Sequence, residues 1–271
     1  MIASLPMYDR AETSAAHDAL WALLRDRLHD RGIDAPARLT RGPDLWAEWE
    51  SGDLLLGQTC NLPLRARLHP RVALVGNPDL ALDDTPPGHY HSLIVTRAGE
   101  PTEIAQHAHG RFALNDAMSH SGWGAAQVLA RRHGFTFART LETGAHSASA
   151  AALAEGRADI AAIDAHTWRS LLAYDSHVTD RLQVIGRTEA SPAPPYITAF
   201  PQLVPVLLRA LSSAIAALPA AHRATLGLAG VVQVPLAAHL SLPNPPEPRR
   251  QGRETGASAT SEANSALQSV N

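Results

Sequence analysis

Short apolar runs alternate with longer stretches of helical periodicity along most of this chain, and that alternation limits the folds open to it. Residues 2–6 read as a strand, and 15–31 as an amphipathic helix with Leu20, Leu23, Leu24 and Leu28 on one face. Residues 38–40, 54–58 and 72–75 continue as short strands, and a helix at 43–50 opens on the start signals Pro43 and Asp44. This is the pattern of an α/β lobe. A turn-rich segment, 83–88, with Pro86 and Pro87, closes it. New strands are expected at 91–96, 112–115, 135–140 and 159–164, interleaved with helices at 122–133 and 147–155. A second Pro-rich crossing, 191–195, leads to a strand at 196–199 and a long helix at 203–218. The expected division is a first lobe of 1–88 and 195–242, a second lobe of 89–194, and a disordered tail of 243–271, which holds almost nothing to bury.

Composition removes several function classes. All 23 basic residues are Arg, so lysine Schiff-base chemistry and the phosphate-cradling Lys of a Walker loop are excluded. A formal charge of -3 with interspersed signs gives no broad basic face, so nucleic acid is not an expected partner. Cys60 is the only cysteine and leaves no intrachain disulfide. No apolar run reaches the ~18 residues of a spanning helix. Met1 to Leu5 lead into Pro6 without a charged leader, so the expected location is cytoplasmic as written, and periplasmic if the start is truncated or misassigned.

Candidate binding groups gather where strands end and helices begin. In 115–124, NDAMSHSGWG, the hydroxyls of Ser119 and Ser121 and the small Gly122 stand at a helix start, where free backbone N–H groups and the helix dipole favour an anion. A serine there also serves as an ordinary helix cap. His146, in ETGAHSAS, opens another helix and can donate from the facing side. Asp164 ends the apolar run of GRADIAAID, at the sheet edge where α/β proteins bind ligands; it suits an amino or hydroxyl group, or the cap of the next helix. Tyr8, Gln58 and Thr59 fall at the corresponding ends of the first lobe, and Cys60 reads as a small buried residue. The pairs His89/His91 and His107/His109 lack a third ligand at a familiar spacing, so neither a metal nor another cofactor is expected.

Taken in order, LPMYDR, LGQTCNLPL, NDAMSHSGWG, GAHSAS and GRADIAAID resemble the phosphate/phosphonate-type substrate-binding proteins of ABC transporters, over about 2–240. The resemblance implies a type II periplasmic-binding fold: two α/β lobes joined by two crossing segments, closing on a ligand held at a Ser-rich helix terminus. It implies anion contacts from Ser119, His120, Ser121 and His146, with Tyr8 and Asp164 near the organic part and Gln58 and Thr59 matched by position. The family's Ser-Thr-Ser-like signature is here Ser119, His120, Ser121. A small anionic or zwitterionic ligand, an ABC-type permease and a monomeric state are implied. Two rivals use the same fold: a cytosolic lyase of the menaquinone-pathway type, with Asp164 as base and His146 as electrophile, and a cytosolic ligand sensor.

Overall fold

The computed structural model describes residues 1–248 other than Pro43, so the reading of Pro43 as a helix start lies outside the described residues. The apolar runs become twelve strands: β1 (Ile2–Ser4), β2 (Leu54–Gln58), β3 (Ala73–Asp79), β4 (His89–Tyr90), β5 (Ser92–Arg97), β6 (Arg111–Leu114), β7 (Arg139–Glu142), β8 (Ile160–Asp164), β9 (Leu182–Arg187), β10 (Ser191–Pro192), β11 (Tyr196–Thr198) and β12 (Gly230–Val232). Ten of them form two five-stranded sheets, ordered β1-β2-β11-β3-β12 and β7-β6-β8-β5-β9. The chain passes between the sheets at β4 and returns at β10, and these two segments pair antiparallel, Tyr90 opposite Ser191 and His89 opposite Pro192. The result is the expected two-lobed α/β architecture with paired crossings.

Burial explains why the runs fold this way. All five residues of β2 and of β8 are buried, as strands covered on both faces must be. In the second sheet the period of two sorts side chains to opposite faces: Ile94, Phe112, Leu114, Ile160 and Ala162 to one core, Val95, Ala113, Ala161 and Ile163 to the other. In the first sheet, one face packs on helices Ser14–His29 and Val204–Ala217 through Leu20, Leu24, Leu28, Leu207 and Leu211. Its opposite face holds Trp49, Leu54, Leu64, Leu68 and Ile197.

Five stretches depart from the sequence reading. Residues 38–40 form no strand, although Thr40 N–H still bonds Ala3 O at 2.7 Å. The strand expected at 135–140 begins only at Arg139, because Phe137 folds inward against Phe112 while Gln127 Nε2 holds its carbonyl at 3.1 Å. The edge strands β9 and β12 were not read from the sequence; neither shows a continuous buried run. Within the expected tail, residues 243–248 are described and partly fastened: Arg65 donates to Pro243 O and Asn244 Oδ1, and Trp123 Nε1 donates to Pro246 O at 2.8 Å. Residues 249–271 of that tail lie outside the described residues.

The packing makes a direct stability test. Leu24→Ala, at a position with 0% exposure, is expected to cost about 2–5 kcal/mol in urea unfolding, whereas Leu172→Ala, 54% exposed, should stay within about 0.5 kcal/mol of the parent.

Candidate functional site

Ser119 leaves the loop after β6 in an extended conformation and caps the next helix by accepting the Gly122 N–H on its Oγ at 3.0 Å. The chain then makes one wide turn, His120–Gly124, before the regular helix Ala125–Arg132; such widened turns recur at functional sites. Ser121 Oγ lies 3.4 Å from Ser119 Oγ and shares a 2.9 Å hydrogen bond with His146 Nε2. His146 is the first residue of the helix His146–Ala154, so two helix starts face each other across the Ser121 hydroxyl. Ser92 Oγ, at the head of β5, donates to Ser121 O at 3.0 Å and fixes the turn to the sheet. A Cβ at position 122 would stand 1.8 Å from Asn115 Oδ1, so a larger residue there must displace the Asn115 side chain. Burial lowers the His146 pKa to about 4, so near neutral pH its ring is uncharged.

His120 belongs to the same turn but its side chain faces the first lobe. Its Nδ1 accepts from Arg65 Nη1 at 3.4 Å. Because a guanidinium only donates, the ring proton sits on Nε2, which donates to Ser191 Oγ on β10 at 3.0 Å. Burial first, then the Arg65 charge, depresses its pKa to about 3. The backbone N–H of His120 donates to Cys60 Sγ at 3.2 Å, a further link between lobes.

Asp164 is both a cap and a link. Its Oδ1 accepts the His166 and Thr167 N–H groups at 2.8 and 3.0 Å, and its Oδ2 accepts the Tyr8 hydroxyl from the first lobe at 3.0 Å. Burial raises the carboxyl pKa to about 6 against the opposing pull of these donors. The Tyr8 ring stands edge-on to His166, with centroids 4.3 Å apart. Gln58 and Thr59 are turned to the crossing segment: Gln58 Nε2 donates to Pro194 O at 3.2 Å and Thr59 N–H to Pro195 O at 3.1 Å. The structure therefore brings Ser119, Ser121, Gly122 and His146 together, and sets Tyr8, Asp164, His120, Gln58 and Thr59 on contacts that join the lobes or the crossing.

Three residues at this site escaped the sequence reading. Tyr90, on the crossing strand β4, is 1% exposed, and its hydroxyl faces Ser121 and Cys60 without a hydrogen bond of normal geometry to either. Asn115 Oδ1 is likewise buried and unpartnered there, against Gly122. Arg65 reaches the back of the turn from the first lobe. Only Asn115, inside NDAMSHSGWG, stood within a motif that drew attention. Outside the cleft, a groove of about 390 Å³ on the first lobe is lined by Ser4, Asp9, Arg10, Arg41 and Glu48. Its guanidiniums are already paired, Arg10 with Glu12 and Asp175, and Arg41 with Asp9 and Asp18.

Residues 2–235 match the family described as ABC transporter, phosphonate, periplasmic substrate-binding protein. The chain belongs to this family. Solved structures agree in fold. A Xanthomonas citri protein bound to chloride ion superposes with a TM-score of 0.66 at 17% identity, covering 89% of this chain and 94% of that one. PhnD1 from Prochlorococcus marinus, in complex with methylphosphonate, gives 0.66 at 15% identity, covering 88% and 94%. The binding-protein component of a Pseudomonas aeruginosa ABC phosphonate transporter gives 0.61 at 16%, covering 85% and 80%. A search of curated proteins finds no match. This substrate-binding protein thus belongs to a family of periplasmic proteins, and the cytoplasmic placement drawn from its first residues is not retained. No single helix among the described residues is long and apolar enough to cross a membrane.

The buried titratable groups set an acid response. His120, His146, His166 and His239 have folded pKa values of about 3, 4, 3 and 4 against 6.5 when free. As pH falls below 6.5 the unfolded chain takes up protons that the folded rings refuse, so stability is lost toward the folded values. Asp164 works the other way: with its pKa at about 6 against 3.8, the folded chain takes the proton first, and stability is gained as pH falls from 6 to 4. The unfolding temperature of the binding protein should therefore fall from pH 7 to 4, and Asp164→Asn, which keeps an oxygen for the cap, should make that decline steeper. A parallel profile in the variant would contradict the assignment.

Proposed function

We propose that the binding protein captures a small phosphonate-type oxyanion at the Ser119–Gly124 turn and delivers it, in the periplasm, to an ABC-type permease. The lobes taken for this purpose are 1–88 with 195–242 and 89–194. The observation that carries the reading is the convergence on one point of the Ser119 and Ser121 hydroxyls, the His146 ring and the unpartnered Tyr90 hydroxyl at the start of a helix. Donors without bulk, a positive helix end and a dry surrounding suit an oxyanion, and closure of the lobes excludes water.

The binding role also agrees with the groups around the turn. Asp164 already accepts three hydrogen bonds, so its part is to hold the second lobe's helix and the Tyr8 hydroxyl in place. Family membership favours capture and delivery over the lyase reading. The methylphosphonate of the Prochlorococcus relative supplies the natural first probe.

Removing both hydroxyls in a Ser119→Ala/Ser121→Ala chain should weaken methylphosphonate binding by roughly 1–3 kcal/mol in calorimetry, while the ligand-free chain still folds, destabilised by about 0.5–2 kcal/mol through loss of the Ser119 cap. Equal affinity in parent and variant would remove the turn as the binding site.

A further inference from the structure

Arg65 is a buried cation for which the described residues supply no counter-charge. It is 6% exposed and sits on the turn Leu64–Leu68 that follows β2. Its donors go to neutral acceptors: Nε to Asn244 Oδ1 at 3.0 Å, Nη1 to Asn61 Oδ1 at 3.2 Å and His120 Nδ1 at 3.4 Å, and Nη2 to Pro243 O at 2.9 Å. Among the described residues it forms no ion pair, and the titratable groups that face it are Cys60, Tyr90, His120 and, past Asn61, His239, none of them a carboxylate. A guanidinium stays protonated in such a place, although burial pulls its pKa down.

The position of that charge gives it meaning. Nη2 lies 3.4 Å from the point where a Cβ on Gly124 would stand, so the guanidinium packs against the backbone of the anion turn. A cation beside the first turn of a helix is repelled by the helix dipole, and a buried charge without a partner is costly. Both penalties are relieved when an anion occupies the turn, and relieved more by two negative charges than by one. Asn61 and the 243–244 segment hold the side chain from behind, and His120 carries the contact to the turn.

We propose that Arg65 is a positioning residue that sets charge selectivity: a fixed positive charge from the first lobe, applied to the Ser119–Gly124 turn through His120, that favours a doubly charged phosphonate-type anion over a singly charged anion of the same shape. The proposal rests on the binding reading above and specifies the ligand's charge.

Methylphosphonate and methanesulfonate differ little in shape, and at about pH 9 the first is a dianion and the second a monoanion. Calorimetry on the full chain should give a parent that prefers methylphosphonate. In Arg65→Gln the ratio of the two affinities should shrink by about tenfold or more, and in Arg65→Lys most of it should return. General loosening of the site weakens both anions alike and leaves the ratio unmoved. Should the glutamine chain not fold, Arg65→Met, with an apolar side chain of similar length, takes its place. A ratio equal to the parent's in the uncharged variant overturns the Arg65 assignment alone, whereas a parent that binds neither anion overturns the binding site and this proposal with it.

Discussion

A polar cleft closes only if the groups it takes out of water find partners, and the lobe-to-lobe contacts of this protein are arranged around that requirement. Tyr8 donates to Asp164, the His120 N–H to Cys60 and Arg65 to His120, while Arg169 of the second lobe reaches Leu80 O and Gly227 O of the first. Each contact satisfies a buried group on one lobe with a group from the other. The hydroxyl of Tyr90 lies buried beside the Ser121 hydroxyl without a hydrogen bond of normal geometry. An oxyanion supplies the kind of acceptor that this donor lacks.

The division of labour within the turn follows from side-chain direction. In the run Ser119, His120, Ser121, the two hydroxyls stay with the helix start while the imidazole between them points back across the cleft to Arg65 and Ser191. His120 thus joins the turn to the crossing strand and to a buried charge. The same segment is tied at its far side, where Trp123 Nε1 donates to Pro246 O. Closure, crossing and carboxyl-terminal segment meet on five consecutive buried residues.

Much of this was legible in the sequence where local pattern carries the information. The apolar runs of β2 and β8, buried on both faces, announce central strands, and Ser119, Ser121, His146 and Asp164 each stand at a strand-to-helix junction, where such groups meet ligands. What could not be read depends on distance along the chain. Arg65 and His120 are 55 positions apart, and Gln58 finds its partner 136 positions away, so their orientation is set by how the lobes meet. The edge strands β9 and β12, half exposed, offer no unbroken apolar run to recognise. Proline-rich composition suggested disorder from residue 243, but two carbonyls and an amide oxygen in 243–246 serve as acceptors for buried Arg65 and Trp123.

The central claim is that an oxyanion completes the buried hydrogen-bonding set between the lobes. A crystal structure of the full chain with methylphosphonate tests it most directly. Phosphonate oxygens are expected within about 3 Å of the Ser119 and Ser121 hydroxyls and of His146 Nε2, with Tyr90 donating to the same group. Methylphosphonate found instead in the groove of Asp9, Arg10 and Arg41, with the Ser121–His146 bond intact, would contradict it.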